Sequence, residues 1–178
     1  MPPVGPWSRR RCWICSARNN LSGVRAGVEF RRCPPTEAPA SDLLAAMVAE
    51  MLALYEITTG VIGVPLVPEE LGPPSGVYLV GWIDDQPAAG GGVRMVGAGV
   101  GEIKRMYVLP SFRGRGLARP LLGALESEAV RLGARVARLD TGPKQPLAKG
   151  LYERSGYSEI GNWNNNPHAA YWGEKRLT

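Results

Sequence analysis

Histidine is almost missing from this 178-residue chain, with His168 as its single copy, and its three cysteines all lie before residue 34. That scarcity leaves little for a four-ligand metal site. Cys12-Trp-Ile-Cys15 has the spacing of half a zinc knuckle, but only Cys33 and the distant His168 remain to complete it, so no metal is expected. Long apolar runs are missing too. The longest, residues 43–55, is broken by Glu50 and is too short to span a bilayer. No apolar segment follows Arg9-Arg10-Arg11, so a secretory signal is not expected, and the cytoplasm is the expected compartment.

The formal charge of +5 raises a nucleic-acid reading, so its location matters. Residues 1–40 hold seven arginines against Glu29 and Glu37, whereas residues 41–178 hold 14 basic and 14 acidic side chains. The excess belongs to the N-terminal segment alone, which is also rich in proline and has no helical or strand period. Residues 1–40 are therefore expected to be a loosely structured extension, and residues 41–178 a single domain large enough for its own core. With no net charge, that domain has no general attraction for a polyanion.

From Ser41 onward the pattern is regular. Ser41 is read as an N-cap, followed by an apolar helical face of Leu43, Leu44, Met47, Met51, Leu54 and Tyr55. Residues 60–74 are loop. Strands are expected over 77–83, 88–95 and 101–109, a helix over 116–132 closed by Gly133, and a strand over 134–140. A helix over 146–155 opens with proline, and two closing strands lie near 158–163 and 170–177. This order implies a mixed α/β sheet with a parallel crossover from strand 101–109 to strand 134–140.

The chemistry concentrates at the end of the strand over 101–109, in Val108-Leu-Pro-Ser-Phe-Arg113-Gly-Arg-Gly116-Leu-Ala118. A strand running into a glycine turn and then a helix leaves backbone N–H groups uncovered at the positive end of the helix dipole. Glycines at 114 and 116 let an anion approach the backbone, and Arg113 and Arg115 add charge. The turn suits a pyrophosphate. It is neither a Walker A loop nor GxGxxG, because the Gly-Lys-Ser/Thr ending is missing and the glycine spacing differs.

Arg113-Gly-Arg-Gly116-Leu-Ala118 resembles the Arg/Gln-x-x-Gly-x-Gly/Ala signature of the GNAT superfamily of N-acetyltransferases, preceded here by the lead-in strand Met106-Tyr-Val108-x-Pro110. Ala148-Lys-Gly-Leu151-Tyr152-Glu-Arg-Ser-Gly156-Tyr157 is similar to that family's late Ala-x-x-Leu-Tyr-x-x-x-Gly-Phe/Tyr element. The resemblance covers about residues 41–178. It implies a three-layer α/β fold whose mostly antiparallel mixed sheet is splayed at the cofactor site, with helices on both faces. It also implies acetyl-CoA as co-substrate, an amine as acceptor, and admits a homodimer. Backbone groups of Met106, Tyr107 and Val108 should pair with the pantetheine arm, and the amides of Arg113, Gly114, Arg115, Gly116, Leu117 and Ala118 should hold the pyrophosphate. Tyr152 should donate a proton to the departing thiolate, as a phenol of ordinary pKa about 10 can at neutral pH. Gln145 stands where many members have Asn, so a role on the CoA chain is expected of a longer amide.

Amine attack also needs a proton acceptor. Glu102 is the first choice, because period-2 alternation would put it on one strand face with Lys104, Met106 and Val108; the plain alternative is an ion pair with Lys104 or Arg105. Asp140 is second. With no cysteine after residue 33, direct transfer in a ternary complex is expected rather than an acetyl-cysteine intermediate. His168 is read as an exposed turn residue, and Trp163, Tyr171 and Trp172 as core or strand-face residues. The function expected is acetylation of a small-molecule amine. The alternatives are acetylation of a protein N-terminus or lysine, a CoA-binding module without turnover, and, last, a nucleic-acid-binding protein using the arginine arm.

Overall fold

A computed structural model describes residues 27–58 and 66–178. Among these residues seven strands and three α-helices follow one another as β1 (Glu29–Arg32), α1 (Ala40–Tyr55), β2 (Gly76–Ile83), β3 (Gln86–Gly97), β4 (Val100–Val108), α2 (Ala118–Arg131), β5 (Val136–Thr141), α3 (Pro146–Arg154), β6 (Ser158–Glu159) and β7 (Tyr171–Arg176). They form one sheet in the order β1-β2-β3-β4-β5-β7-β6. Every neighbouring pair is antiparallel except β4 and β5, which are parallel. The expected crossover through α2 is therefore present.

Folded structure begins earlier than the composition implies. Residues 29–32 pair with residues 79–82 of β2, and Cys33 is buried against the α1 layer, so the sheet reaches back into the segment expected to be loose. The proline-rich composition hid a four-residue strand that the neighbouring β2 edge templates. Cys12 and Cys15 lie outside the described residues. Helix α1 starts at Ala40 with Pro39 at its N-cap position, which moves Ser41 into the first turn and removes its expected capping role. The first of the two closing strands is also shorter than expected: β6 ends at Glu159, and the asparagine-rich stretch after it is loop.

The two faces of the sheet carry separate cores. On one, Leu121, Leu122 and Leu125 of α2 and Tyr152 of α3 pack on Leu79, Val93, Ile103 and Leu139. On the other, Leu43 and Met47 of α1 pack on Tyr78, Val80 and Tyr107. Each fully buried Leu contributes about 1.5–3 kcal/mol, so these apolar faces rather than helix propensity hold α1 and α2 in place. Close layering depends on the glycines of β3: a Cβ on Gly92 would meet Leu71 at 2.8 Å, and one on Gly91 would meet Leu125 at 2.9 Å.

One irregularity re-aims β4. Gly92 pairs with Lys104 and Gly90 with Tyr107, so Arg105 and Met106 together oppose Gly91. This is a β-bulge, and Arg105 sits in it with φ +57°. Strict alternation would keep Met106 and Val108 on the face of Glu102 and Lys104. The extra residue reverses that: Met106 and Val108 join Ile103 on the α2 side, while Tyr107 packs with α1. The shared face expected for the four residues is thus corrected by a single inserted position.

Candidate active site

Strands β4 and β5 stay together for only three residues. Their pairing ends at Glu102 opposite Arg138, although β4 continues to Val108 and β5 to Thr141. The edge of β4 over residues 103–108 therefore has no strand opposite it among the described residues. Unpaired backbone N–H and C=O groups on a strand edge accept an added extended chain. The gap passes through the sheet, so one pocket is lined from both sides: Met47 and Met51 from α1, and Tyr152 from the opposite layer. Met106, one of the three backbone positions expected to take the pantetheine arm, also lines it.

The glycine loop leads from the end of β4. Gly114 and Gly116 have φ +76° and +77°, and an added Cβ at either would meet nothing within 4 Å. Helix α2 has no side-chain cap, and its first bond runs from Leu121 N to Leu117 O. The N–H groups of residues 114–118 have no backbone acceptor among the described residues. Open space above a row of free amides at a helix start is a cradle for an anion. The arginine side chains contribute less than their sequence suggests. Arg113 donates to Glu50 of α1 at 2.7 Å and to the Val108 carbonyl at 3.0 Å, and Arg115 lies over the Phe112 ring. The guanidinium of Arg113 holds the Glu50 carboxyl below its ordinary pKa, against the opposing effect of burial.

Tyr152 is buried, and among the described residues its hydroxyl has one hydrogen-bond partner, the Met106 sulfur at 4.0 Å. Burial first, then the nearby Asp140 carboxylate, pushes its pKa well above the ordinary phenol value. The group stays protonated and has no oxygen or nitrogen partner holding the proton. Gln145 takes a structural place at the N-cap position of α3. Its Oε1 accepts from Thr141 Oγ1 and the Gly142 amide, both at 3.1 Å, which fixes the turn between β5 and α3, while its Nε2 lies 3.4 Å from the Met51 sulfur.

Glu102 lies buried between two cations. It is 1% exposed, accepts from Arg94 Nε at 2.8 Å and pairs with Lys104 Nζ at 2.9 Å. The ion pair with Lys104 weighed as the plain alternative is present, with Arg94 as a second partner. Asp140 is equally engaged. Lys104 donates to its Oδ1 at 2.9 Å, and Asn164 and Asn166 donate to its Oδ2 at 2.9 and 2.7 Å. Burial pushes the Asp140 carboxyl upward, but Lys104 and the two amides outweigh it and hold the pKa below its ordinary value. Glu70, Arg94, Glu102, Lys104 and Asp140 thus form one alternating chain of charge from the turn before β2 to the end of β5.

Sequence reasoning missed the clamp of Asn164 and Asn166 on Asp140, because an Asn-rich stretch reads simply as a turn. It missed Arg105 in the pocket because a bulge has no composition of its own. His168 is exposed, as expected of a turn residue, yet it lines the pocket mouth.

A family model described as the acetyltransferase (GNAT) family matches residues 45–157. An IAA acetyltransferase of Azospirillum brasilense is 40% identical over 63 residues, 35% of this chain and 41% of that protein. Acetyltransferase Atu2258 of Agrobacterium fabrum is 34% identical over 96 residues, 53% of this chain and 69% of its own length. The match therefore spans about two fifths of the first relative and two thirds of the second. Among solved structures, one from Klebsiella pneumoniae assigned as an acyl-CoA N-acyltransferase superposes with TM-score 0.69 at 27% identity, covering 85% of this chain and 98% of that one. A GNAT structure from Elizabethkingia anophelis with acetyl-CoA bound shares the fold, with TM-score 0.60 at 14% identity over 86% of this chain and all of that one. Matched over most of its regular structure, and carrying the splayed strands and the glycine loop, the chain belongs to the acetyltransferase (GNAT) family.

Proposed function

We propose that this protein is an acetyl-CoA-dependent N-acetyltransferase acting on a small-molecule amine. The observation that carries the reading is the separation of β4 from β5 after Glu102, with free amides at one end of the gap and the Tyr152 hydroxyl facing into it. Two relatives, an aminoalkylphosphonate N-acetyltransferase and an aminoglycoside N(6')-acetyltransferase, both of Salmonella typhimurium, agree with a small acceptor.

Acetyl-CoA supplies an acetyl thioester, the electrophile of the reaction. The open β4 edge at Met106, Tyr107 and Val108 holds an extended arm through backbone hydrogen bonds. Amides from Gly114 to Ala118 hold a pyrophosphate and Arg115 adds charge, whereas the Arg113 amide is already given to the Pro110 carbonyl at 3.3 Å. Gln145 fixes the turn beside the arm. Tyr152 gives its phenolic proton to the sulfur as negative charge develops there. No described carboxylate in the pocket is free, so the attacking amine passes its proton to water at the mouth, beside His168. Attack is direct, because the one described cysteine, Cys33, is buried beneath α1 and does not line the pocket.

The test is acetyl-CoA consumption across a panel of amines, read as release of free thiol. Turnover with at least one amine supports the reading. CoA binding without turnover on any acceptor class, proteins included, would reduce the protein to a CoA-binding module.

A further inference from the structure

Arg105 differs from the other cations around the pocket. Arg94 and Lys104 are committed to Glu70, Glu102 and Asp140 at 2.6 to 2.9 Å. Arg105 makes no hydrogen bond or ion pair among the described residues, and the residues outside that description contain no Asp or Glu. Both neighbouring carboxylates already have their partners. Asp140 accepts from Lys104, Asn164 and Asn166, and Glu102 from Arg94 and Asn164 while paired with Lys104.

Arg105 is half-buried and lines the pocket with Lys104, Asn166 and His168. A guanidinium drawn out of water without an acceptor is unfavourable, and burial lowers its pKa despite the attraction of Asp140. Its backbone lies in the left-handed region at the β4 bulge, a conformation that long side chains rarely adopt. Strained backbone presenting an unpaired planar fork to a cavity is suited to a two-oxygen anion. Of the charged side chains that line the cavity, Lys104 and Arg105 face Asp140 alone, an excess of one positive charge that an acidic group on the acceptor would neutralise.

We propose that the acceptor is an amine that also bears an acidic oxyanion, a carboxylate or a phosphonate, and that Arg105 binds this acidic group. The amine then lies toward the β4–β5 gap and Tyr152. The proposal rests on the acetyltransfer reading above and specifies its substrate class.

Matched acceptors test it. β-Alanine is compared with β-alaninamide, and 2-aminoethylphosphonate with ethanolamine, each by thiol release from acetyl-CoA. The acidic member of a pair should be favoured at least about tenfold in kcat/KM, the effect of one charge-assisted hydrogen-bond pair. Arg105→Gln should bring that ratio near one, and Arg105→Lys should retain part of it as a point charge. Because a ratio within one protein is read, any general loss of rate in a variant cancels. Equal or better use of the neutral partners by the wild type overturns the proposal, as does an unchanged ratio in Arg105→Gln. Should Arg105→Gln fail to fold by circular dichroism, the wild-type ratio decides alone. CoA binding by calorimetry with turnover only of amines outside both pairs also overturns it. Absence of both CoA binding and any turnover removes the acetyltransfer reading itself, and the proposal with it.

Discussion

Glu50 of α1 accepts Arg113 Nη2 at 2.7 Å and the Tyr107 hydroxyl at 2.8 Å, so one carboxylate ties the first arginine of the glycine loop and the end of β4 to the same helix. The pair is half exposed, which limits its worth to about 1 kcal/mol or less. Glu50→Gln should shift the melting temperature by only a few degrees. CoA affinity should stay within about threefold, because the loop offers its amides rather than this side chain. A tenfold loss by calorimetry would show that Arg113 must be anchored for the anion to bind.

Gly116 combines φ +77° with open space where a Cβ would stand. Gly116→Val should cost about 1–2 kcal/mol from the left-handed backbone and at least tenfold in CoA affinity. Gly133, at φ +94° beyond the far end of α2, supplies the control. Gly133→Val should cost similar stability and leave CoA affinity alone. Equal affinities in the two variants would remove the loop from the cofactor site.

Tyr152→Phe deletes a hydroxyl whose only hydrogen-bond partner among the described residues is the Met106 sulfur at 4.0 Å, so folding should survive. The group is needed only as charge develops on sulfur, which places its effect in kcat rather than KM. General acids typically contribute about 10²–10⁴-fold, and a thiolate of ordinary pKa about 8.5 is a fair leaving group unaided. The low end of the range is expected. A variant as fast as wild type with the same acceptor would make Tyr152 a packing residue.

Glu102→Gln should act on stability more than on chemistry. It removes the charge between Arg94 and Lys104 at a site 1% exposed, and opening a buried pair costs about 3–5 kcal/mol. Thermal melts should show a fall of many degrees, with kcat per folded molecule nearly kept at a temperature where the variant is intact. A stable variant with a collapsed kcat and an altered pH profile would return Glu102 to the role of base.

Asp140 sets an acid limit. Its folded pKa lies below the ordinary 3.8, since Lys104, Asn166 and Asn164 together outweigh burial. A depressed carboxyl contributes stability that is present above the unfolded value and is lost as pH falls through the folded one. Wild type should therefore exceed Asp140→Asn in denaturant midpoint at pH 6–7, and the gap should close below about pH 4. A gap independent of pH would mean that packing, not charge, accounts for the difference.

Much of this fold was legible in order along the chain. Apolar residues at helical spacing mark α1 and α2 because a helix must bury one stripe, and the glycines at 114 and 116 mark the loop because a turn beside free amides needs positive φ. The parallel crossover followed from strand, helix and strand in sequence. Other features existed only once strands met. Pairing against β3 inserts Arg105 as a bulge, and no local pattern announces a register shift. Glu102 reads as a carboxylate on a functional strand, but Arg94, eight residues away across the β3–β4 hairpin, and Lys104 convert it into part of a buried ion chain. Asp140 meets Asn164 and Asn166 only because β7 returns beside β5 and carries their loop over its end. Secondary structure depends on neighbours a few residues apart, which the sequence places side by side. The protonation and reach of a side chain depend on charges brought in from distant segments, which only the closed sheet assembles.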